Sequence, residues 1–150
     1  MTPIYFEDLS VGGLWHSGEI EMDEAKMIAY AQEFDPQSMH IDPVAAAEGP
    51  HGTIIASGMM IMALTLKLFI EAGGYGGNPT MGLGTDEVRW SAVVRPGDRL
   101  TAHRETTALR RSRSNPRKGL VTTRIWMTNQ KDETVFSMVS TAMIAARTDG

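Results

Sequence analysis

An aspartate and a histidine five positions apart, Asp35 and His40, lie in the run Phe34-Asp35-Pro36-Gln37-Ser38-Met39-His40-Ile41-Asp42-Pro43. Prolines punctuate this segment, so a carboxylate and an imidazole at that spacing can point into one small volume. Ala56-Ser57-Gly58-Met59 follows and opens a long apolar stretch. A glycine at the start of a buried helix can offer the same volume a backbone N–H. An acid/base pair beside an oxyanion donor is the equipment for adding water to an acyl thioester, or removing it. Singly, each residue has a plainer reading: Asp35 as a carboxylate in a helix-ending turn, His40 as a structural histidine. Taken together with the Ser57-Gly58 helix entrance, the catalytic reading is the stronger one.

Other polar residues carry less. Asp42 is placed to cap a short helix beginning at Pro43. Ser57 has two open readings: it caps the long helix through its hydroxyl, or it orders a water or a substrate oxygen. A nucleophilic role is not expected, because no Gly-x-Ser-x-Gly elbow surrounds it. His16, His51 and His103 read as surface or loop histidines, with no spacing that suits a metal. Cysteine is absent, so disulfides and thiolate metal sites are excluded. No metal and no cofactor are expected.

The elements that must position these groups follow from periodicity. Asp23 can cap a helix over 23–34 in which Met27, Tyr30, Ala31 and Phe34 recur at helical spacing. That helix must stop near Asp35, since the residue before Pro36 is pushed out of helical dihedrals. Residues 54–71 are apolar on nearly every face, including Met59, Met60 and Met62, so this helix must be enclosed by other structure. Methionines there read first as core and second as an adaptable lining for an acyl chain. The Gly73-Gly74-Tyr75-Gly76-Gly77-Asn78-Pro79 cluster ends the helix in a loop. A weak first strand is expected within 12–20. Four β-branched or alternating runs fill the second half, over 81–94, 99–109, 120–129 and 134–146, with turns at Arg95-Pro96-Gly97-Asp98 and Asn129-Gln130-Lys131-Asp132. One apolar helix and four strands joined by short turns predict a single α+β domain over 1–150, its antiparallel sheet curled round the helix.

Composition narrows the partners. A hydrophobic fraction of 42% and a charged fraction of 21% exclude wholesale disorder. A net charge of −4 argues against nucleic acid as the main partner. The stretch 53–72 approaches the roughly 20 residues that span a bilayer, but Lys67 and Glu71 interrupt it, which favours a buried helix over a membrane span. The N-terminus has neither a basic nor an apolar leader region, and a cytoplasmic protein is expected.

Asp35-x4-His40-Ile41-Asp42, the Gly52-Thr53-Ile54-Ile55-Ala56-Ser57-Gly58-Met59 approach to the long helix, and the Val94-Arg95-Pro96-Gly97-Asp98 turn together resemble the MaoC-like dehydratases, which belong with the (R)-specific enoyl-CoA hydratases. The resemblance runs from about residue 4 to 146. It implies a hotdog fold, in which a central helix is wrapped by an antiparallel sheet, and a homodimer or higher homo-oligomer whose sheets join. The implied reaction is reversible hydration of a 2-enoyl-CoA to a 3-hydroxyacyl-CoA. Asp35 and His40 match the catalytic pair, and Gly58 the glycine whose N–H binds the thioester oxygen. Two positions depart from the usual pattern: Pro36-Gln37 follows the aspartate at once, and Ser57 stands where a histidine often precedes the glycine. With a coenzyme A substrate, the basic run 110–118, read otherwise as a solvated loop, supplies candidate phosphate contacts in Arg111, Arg113, Arg117 and Lys118. The alternatives are an acyl-CoA thioesterase on the same fold and a non-catalytic acyl-CoA binding protein.

Overall fold

The computed structural model describes residues 1–148. In chain order these form β1 (Leu14–His16), β2 (Ile20–Glu21), α1 (Glu24–Phe34), α2 (Ser38–Ile41), α3 (Pro43–Glu48), α4 (Gly58–Glu71), β3 (Met81–Trp90), β4 (Arg99–Arg111), β5 (Lys118–Thr128) and β6 (Thr134–Ala145). A six-stranded antiparallel sheet runs β1-β4-β5-β6-β3, with β2 also paired to β4. Register shifts in three of its ladders mark irregularities that bend it, and α4 packs against β4 and β5. This is the helix-in-sheet arrangement that the resemblance implied.

Caps and breakers act where the sequence placed them. The Asp23 side chain accepts from Ala25 N and Lys26 N at the start of α1, which ends at Phe34 just before Pro36. Asp42 Oδ1 accepts from Val44 N and Ala45 N, both at 3.1 Å, which starts α3. On α4, Ile61, Leu64, Thr65 and Phe69 form the buried face, and the Thr65 hydroxyl is satisfied by Met62 O at 2.7 Å. Beneath it Leu100, Ala102, Ile125, Met127 and Phe136 close the core.

Several expectations are corrected. The first strand is two short ones, both on β4. Strands β4, β5 and β6 form a meander, and β3 crosses to the far edge, where it pairs with β6. The run 110–118 is a loop over 112–117, as expected, but its ends are strand: β4 extends to Arg111 and β5 begins at Lys118. His16 is exposed, as expected, but on β1 opposite His103 of β4, and His103 is only partly exposed and stacks on Trp126 at 5.1 Å. Phe34 is exposed although it shares the spacing of buried Met27 and Ala31. The long helix starts at Gly58, four residues later than the apolar run, because Ile54–Ser57 is used as a buried extended segment. Nor is α4 enclosed within one chain: Met59, Leu66 and Ile70 share one face and are all more than half exposed.

Candidate active site

Three backbone devices assemble the site. Asp35, the C-cap of α1, leaves the helical conformation with φ −154° and ψ 67°, and its side chain meets Ser57 and His40. The single helical turn α2 then carries His40 inward, until it is almost fully buried. The segment before α4 threads between these pieces: Ile55 N–H donates to Met39 O at 3.2 Å and Ala56 N–H to Val94 O at 2.9 Å. This places the Ile55 carbonyl against His40 and Ser57 against Asp35.

The geometry fixes protonation roles. His40 Nδ1 lies 2.7 Å from Ile55 O, an acceptor only, so Nδ1 carries the proton. The other nitrogen, Nε2, faces Asp35 Oδ2 at 3.3 Å. Ser57 Oγ donates to the same Oδ2 at 2.8 Å, and Gln37 Nε2 donates to Oδ1 at 2.7 Å. The Gln37 and Ser57 donors hold the Asp35 carboxyl below the usual carboxylate range, His40 adds a smaller lowering, and burial works against all three. Asp35 is therefore an ionised acceptor near neutral pH, not an acid. Ser57 takes a role that neither of its two readings named: its hydroxyl does not cap α4 but donates to the aspartate.

These groups border an open cleft of ≈ 520 Å³, whose lining includes Asp35, Gln37, His40, Gly58, Met59 and Trp90. The rest of the wall is largely apolar, with Ile55, Val93, Val94 and Val135. Gly58 is the first residue of α4, so its N–H has no carbonyl within the helix to meet. Its φ is not positive; the glycine is required by Trp90, whose indole would lie 2.7–3.0 Å from an added Cβ. The Trp90 Nε1–H also donates to Gly58 O at 2.8 Å. An indole therefore occupies the side of Gly58 that a Cβ would take.

Asp35, His40, Ser57 and Gly58 thus converge as the spacing suggested. Arg111, Arg113, Arg117 and Lys118 do not join them within one chain. Lys118 pairs with Ala145 at one end of β6, whereas Phe136, which packs on Trp90, lies nine residues away. At about 3.3 Å per residue that is roughly 30 Å. Arg111 is moreover paired with Glu7. Gln37, Trp90 and the Ile55 carbonyl are site groups that sequence reasoning missed. Only Gln37 had a signal, its position two residues after the aspartate. Among the described residues, no group of three His, Cys, Asp or Glu side chains could hold a metal ion, and no helix is long and apolar enough to cross a membrane.

Residues 13–130 match the MaoC like domain, and the chain belongs to that family. A MaoC-like dehydratase from Rhodospirillum rubrum superposes with a TM-score of 0.86 at 31% identity, over 97% of this chain and 99% of that one. An (R)-hydratase from A. caviae superposes with a TM-score of 0.72 at 26% identity, over 91% and 97%. In sequence, the chain is 30% identical to an uncharacterized Bacillus subtilis protein, YdeM, over 87% of its own length and 91% of that protein's. It is also 37% identical to the Mycobacterium tuberculosis 3-hydroxyacyl-thioester dehydratase Z, over 55% of each chain, and so spans about half of that relative. The fold is the hotdog fold, and the family is one of hydratases and dehydratases.

Proposed function

We propose that this chain catalyses the reversible addition of water to a 2-enoyl thioester, giving a 3-hydroxyacyl thioester. The observation that carries the reading is the 3.3 Å approach of His40 Nε2 to an Asp35 carboxylate kept ionised at the mouth of an apolar cleft. Since Nδ1 is committed to Ile55 O, neutral His40 presents a lone pair at Nε2. A water on the cleft side that bridges Nε2 and Asp35 donates one O–H to each. His40 takes a proton as the water oxygen bonds to C3, and Asp35 steadies the imidazolium that results. Electrons of the C2–C3 double bond move toward the thioester oxygen, where the Gly58 N–H and the α4 dipole oppose the growing charge. Return of a proton to C2 completes the addition. The reaction is redox-neutral, and these protein groups supply its acid/base and charge-stabilising needs.

A thioesterase would need a carboxylate directed at the carbonyl. The only carboxylate on α4, Glu71, is exposed at its far end and paired with Lys67. The family resemblance and the thioester chemistry support coenzyme A as carrier. The four basic residues reach its phosphates only if a second copy brings them to the cleft.

A homodimer is part of the same proposal. Its support is an apolar surface made by Met59, Leu66 and Ile70 of α4 with Met81 and Leu83 of β3. Strand β3 pairs only with β6, so its other edge is open. A second copy joined there would cover both.

The test is absorbance at the enoyl thioester band with crotonyl-CoA and longer or branched homologues, read beside free thiol. Loss of the band without thiol release supports hydration. Thiol release overturns it in favour of hydrolysis, and binding without turnover across the series overturns it in favour of a binding protein.

A further inference from the structure

A second cavity, ≈ 250 Å³, opens near the other end of α4 and shares no lining residue with the first. Gly58 borders one and Phe69 the other, which puts about 16 Å of helix between them at 1.5 Å per residue. Arg104 reaches this cavity from β4, directly opposite Trp15 on β1. Its guanidinium lies 3.9 Å from the centroid of the Phe69 ring. Phe69 in turn meets Trp15 and Tyr75 edge-on, at 5.2 and 5.0 Å. The cation therefore lies on the central ring of a three-ring cluster.

It has no anion. Arg104 Nε is shut off from solvent with no hydrogen-bond partner, and no carboxylate among the described residues comes within ion-pair distance of the guanidinium. Asp8 is the one acidic residue in the cavity wall, but it is already engaged. Arg147 grips both of its oxygens, at 2.8 and 2.7 Å, and Tyr5 N–H donates to it at 2.9 Å. Burial pushes the Arg104 pKa down, yet a guanidinium stays charged throughout the ordinary pH range. Contact with an aromatic face and proximity to the C-terminal end of α4 each offset only part of the desolvation of a buried cation.

We propose that this cavity binds a small monocarboxylate with an apolar or aromatic body, its carboxylate forked by Arg104 and its body set against Trp15, Phe69 and Tyr75. A guanidinium matches a carboxylate bidentately. One cation beside Asp8 and apolar walls suits a single negative charge better than a phosphate dianion. The volume equals that of about eight waters at ≈ 30 Å³ each, which fits a compact acid and not a nucleotide. The inference does not rest on the Asp35–His40 chemistry.

The test is calorimetric titration of the full chain with benzoate, its uncharged analogue benzamide, and inorganic phosphate, repeated on Arg104→Lys and Arg104→Met. The lysine variant keeps the cation and loses the fork, so it decides the matter if Arg104→Met does not fold. The expected result is saturable benzoate binding to the wild type, weakened about tenfold or more by Arg104→Lys, with benzamide and phosphate far weaker. Absence of saturable benzoate binding at millimolar concentration overturns the site. Equal binding by wild type and Arg104→Lys overturns the role of Arg104, and benzamide or phosphate matching benzoate overturns the ligand class.

Discussion

Replacing Gly58 by alanine puts two effects of opposite sign in competition, and the structure decides between them. Alanine in place of glycine favours a helix by up to about 1 kcal/mol in its interior, and by less at a first position. Against this, the new Cβ would sit 2.7 Å from Trp90 Nε1, 2.8 Å from Cε2 and 3.0 Å from Cδ1. Overpacking of this kind costs about 1–3 kcal/mol. If the indole moves aside, its 2.8 Å bond to Gly58 O is lost as well, worth about 0.5–1.5 kcal/mol and nearer the low end because Trp90 is half exposed. The net expectation is a loss of about 1–2 kcal/mol, or a fall in Tm of roughly 2–8 °C for a chain of this size. Activity should fall further than stability, because displacement of a positioned group by about 1 Å can cost about 10²-fold. The assay is a double-mutant cycle with Trp90→Ala, followed by thermal melts and by kcat/KM on the best enoyl thioester. In the Trp90→Ala background, Gly58→Ala should be neutral or mildly stabilising, which gives a coupling of about 1–3 kcal/mol. An equal cost in both backgrounds, or a stabilised Gly58→Ala single variant, would refute the reasoning that the indole demands the glycine.

Three further outcomes are expected. Ser57→Ala removes one donor to Asp35, so the aspartate pKa should rise toward the ordinary carboxylate range, read by NMR titration of the Asp35 carboxyl. Stability follows with a definite sign: the folded-state pKa of Asp35 lies below its unfolded value near 3.9, so its contribution is present above that value and is lost as pH falls through the folded pKa; denaturant melts should show a shallower acid loss in Ser57→Ala. Gln37→Ala, which frees Oδ1, should move the same carboxyl titration in the same direction and cost activity without changing the sheet, checked by kcat/KM beside far-ultraviolet circular dichroism. Leu66→Glu, in the middle of the exposed α4 face, should shift the proposed dimer toward monomer in light scattering, while an unchanged mass would count against this face as the interface.

Most of the fold was legible because its signals are local. Asp23, Asp42, Pro36 and Pro43 cap or break helices through their own backbone neighbours, and four strand runs declared themselves by composition and turns. The position of β3 was not legible, since pairing with β6 depends on how the sheet wraps the helix and not on any neighbour in sequence. The start of α4 was misread because apolar residues suit a buried extended segment as well as a buried helix. In the site, Asp35 and His40 stood out through their spacing, whereas the hydroxyl of Ser57 meets Asp35, a partner 22 residues away that neither of its readings included. Trp90 carries no sequence signal for its place over Gly58, 32 residues away. The Ile55 carbonyl that fixes the His40 tautomer could not be foreseen, as every residue has one. Arg104 escaped attention for a related reason: an arginine on an alternating strand reads as exposed, and only the ring beneath it shows otherwise.

The central claim is that Asp35 and His40 act together on one water. Its most direct measurement is the hydration rate of an enoyl thioester turned over by the wild type, compared with Asp35→Asn, His40→Ala and the double variant, each confirmed as folded. The account predicts that either single change lowers kcat/KM by about 10²–10⁴-fold and that the double variant is scarcely worse than the poorer single one, as for residues that work as a unit. Hydration that survives either substitution at near wild-type rate, or losses that simply multiply, would contradict it.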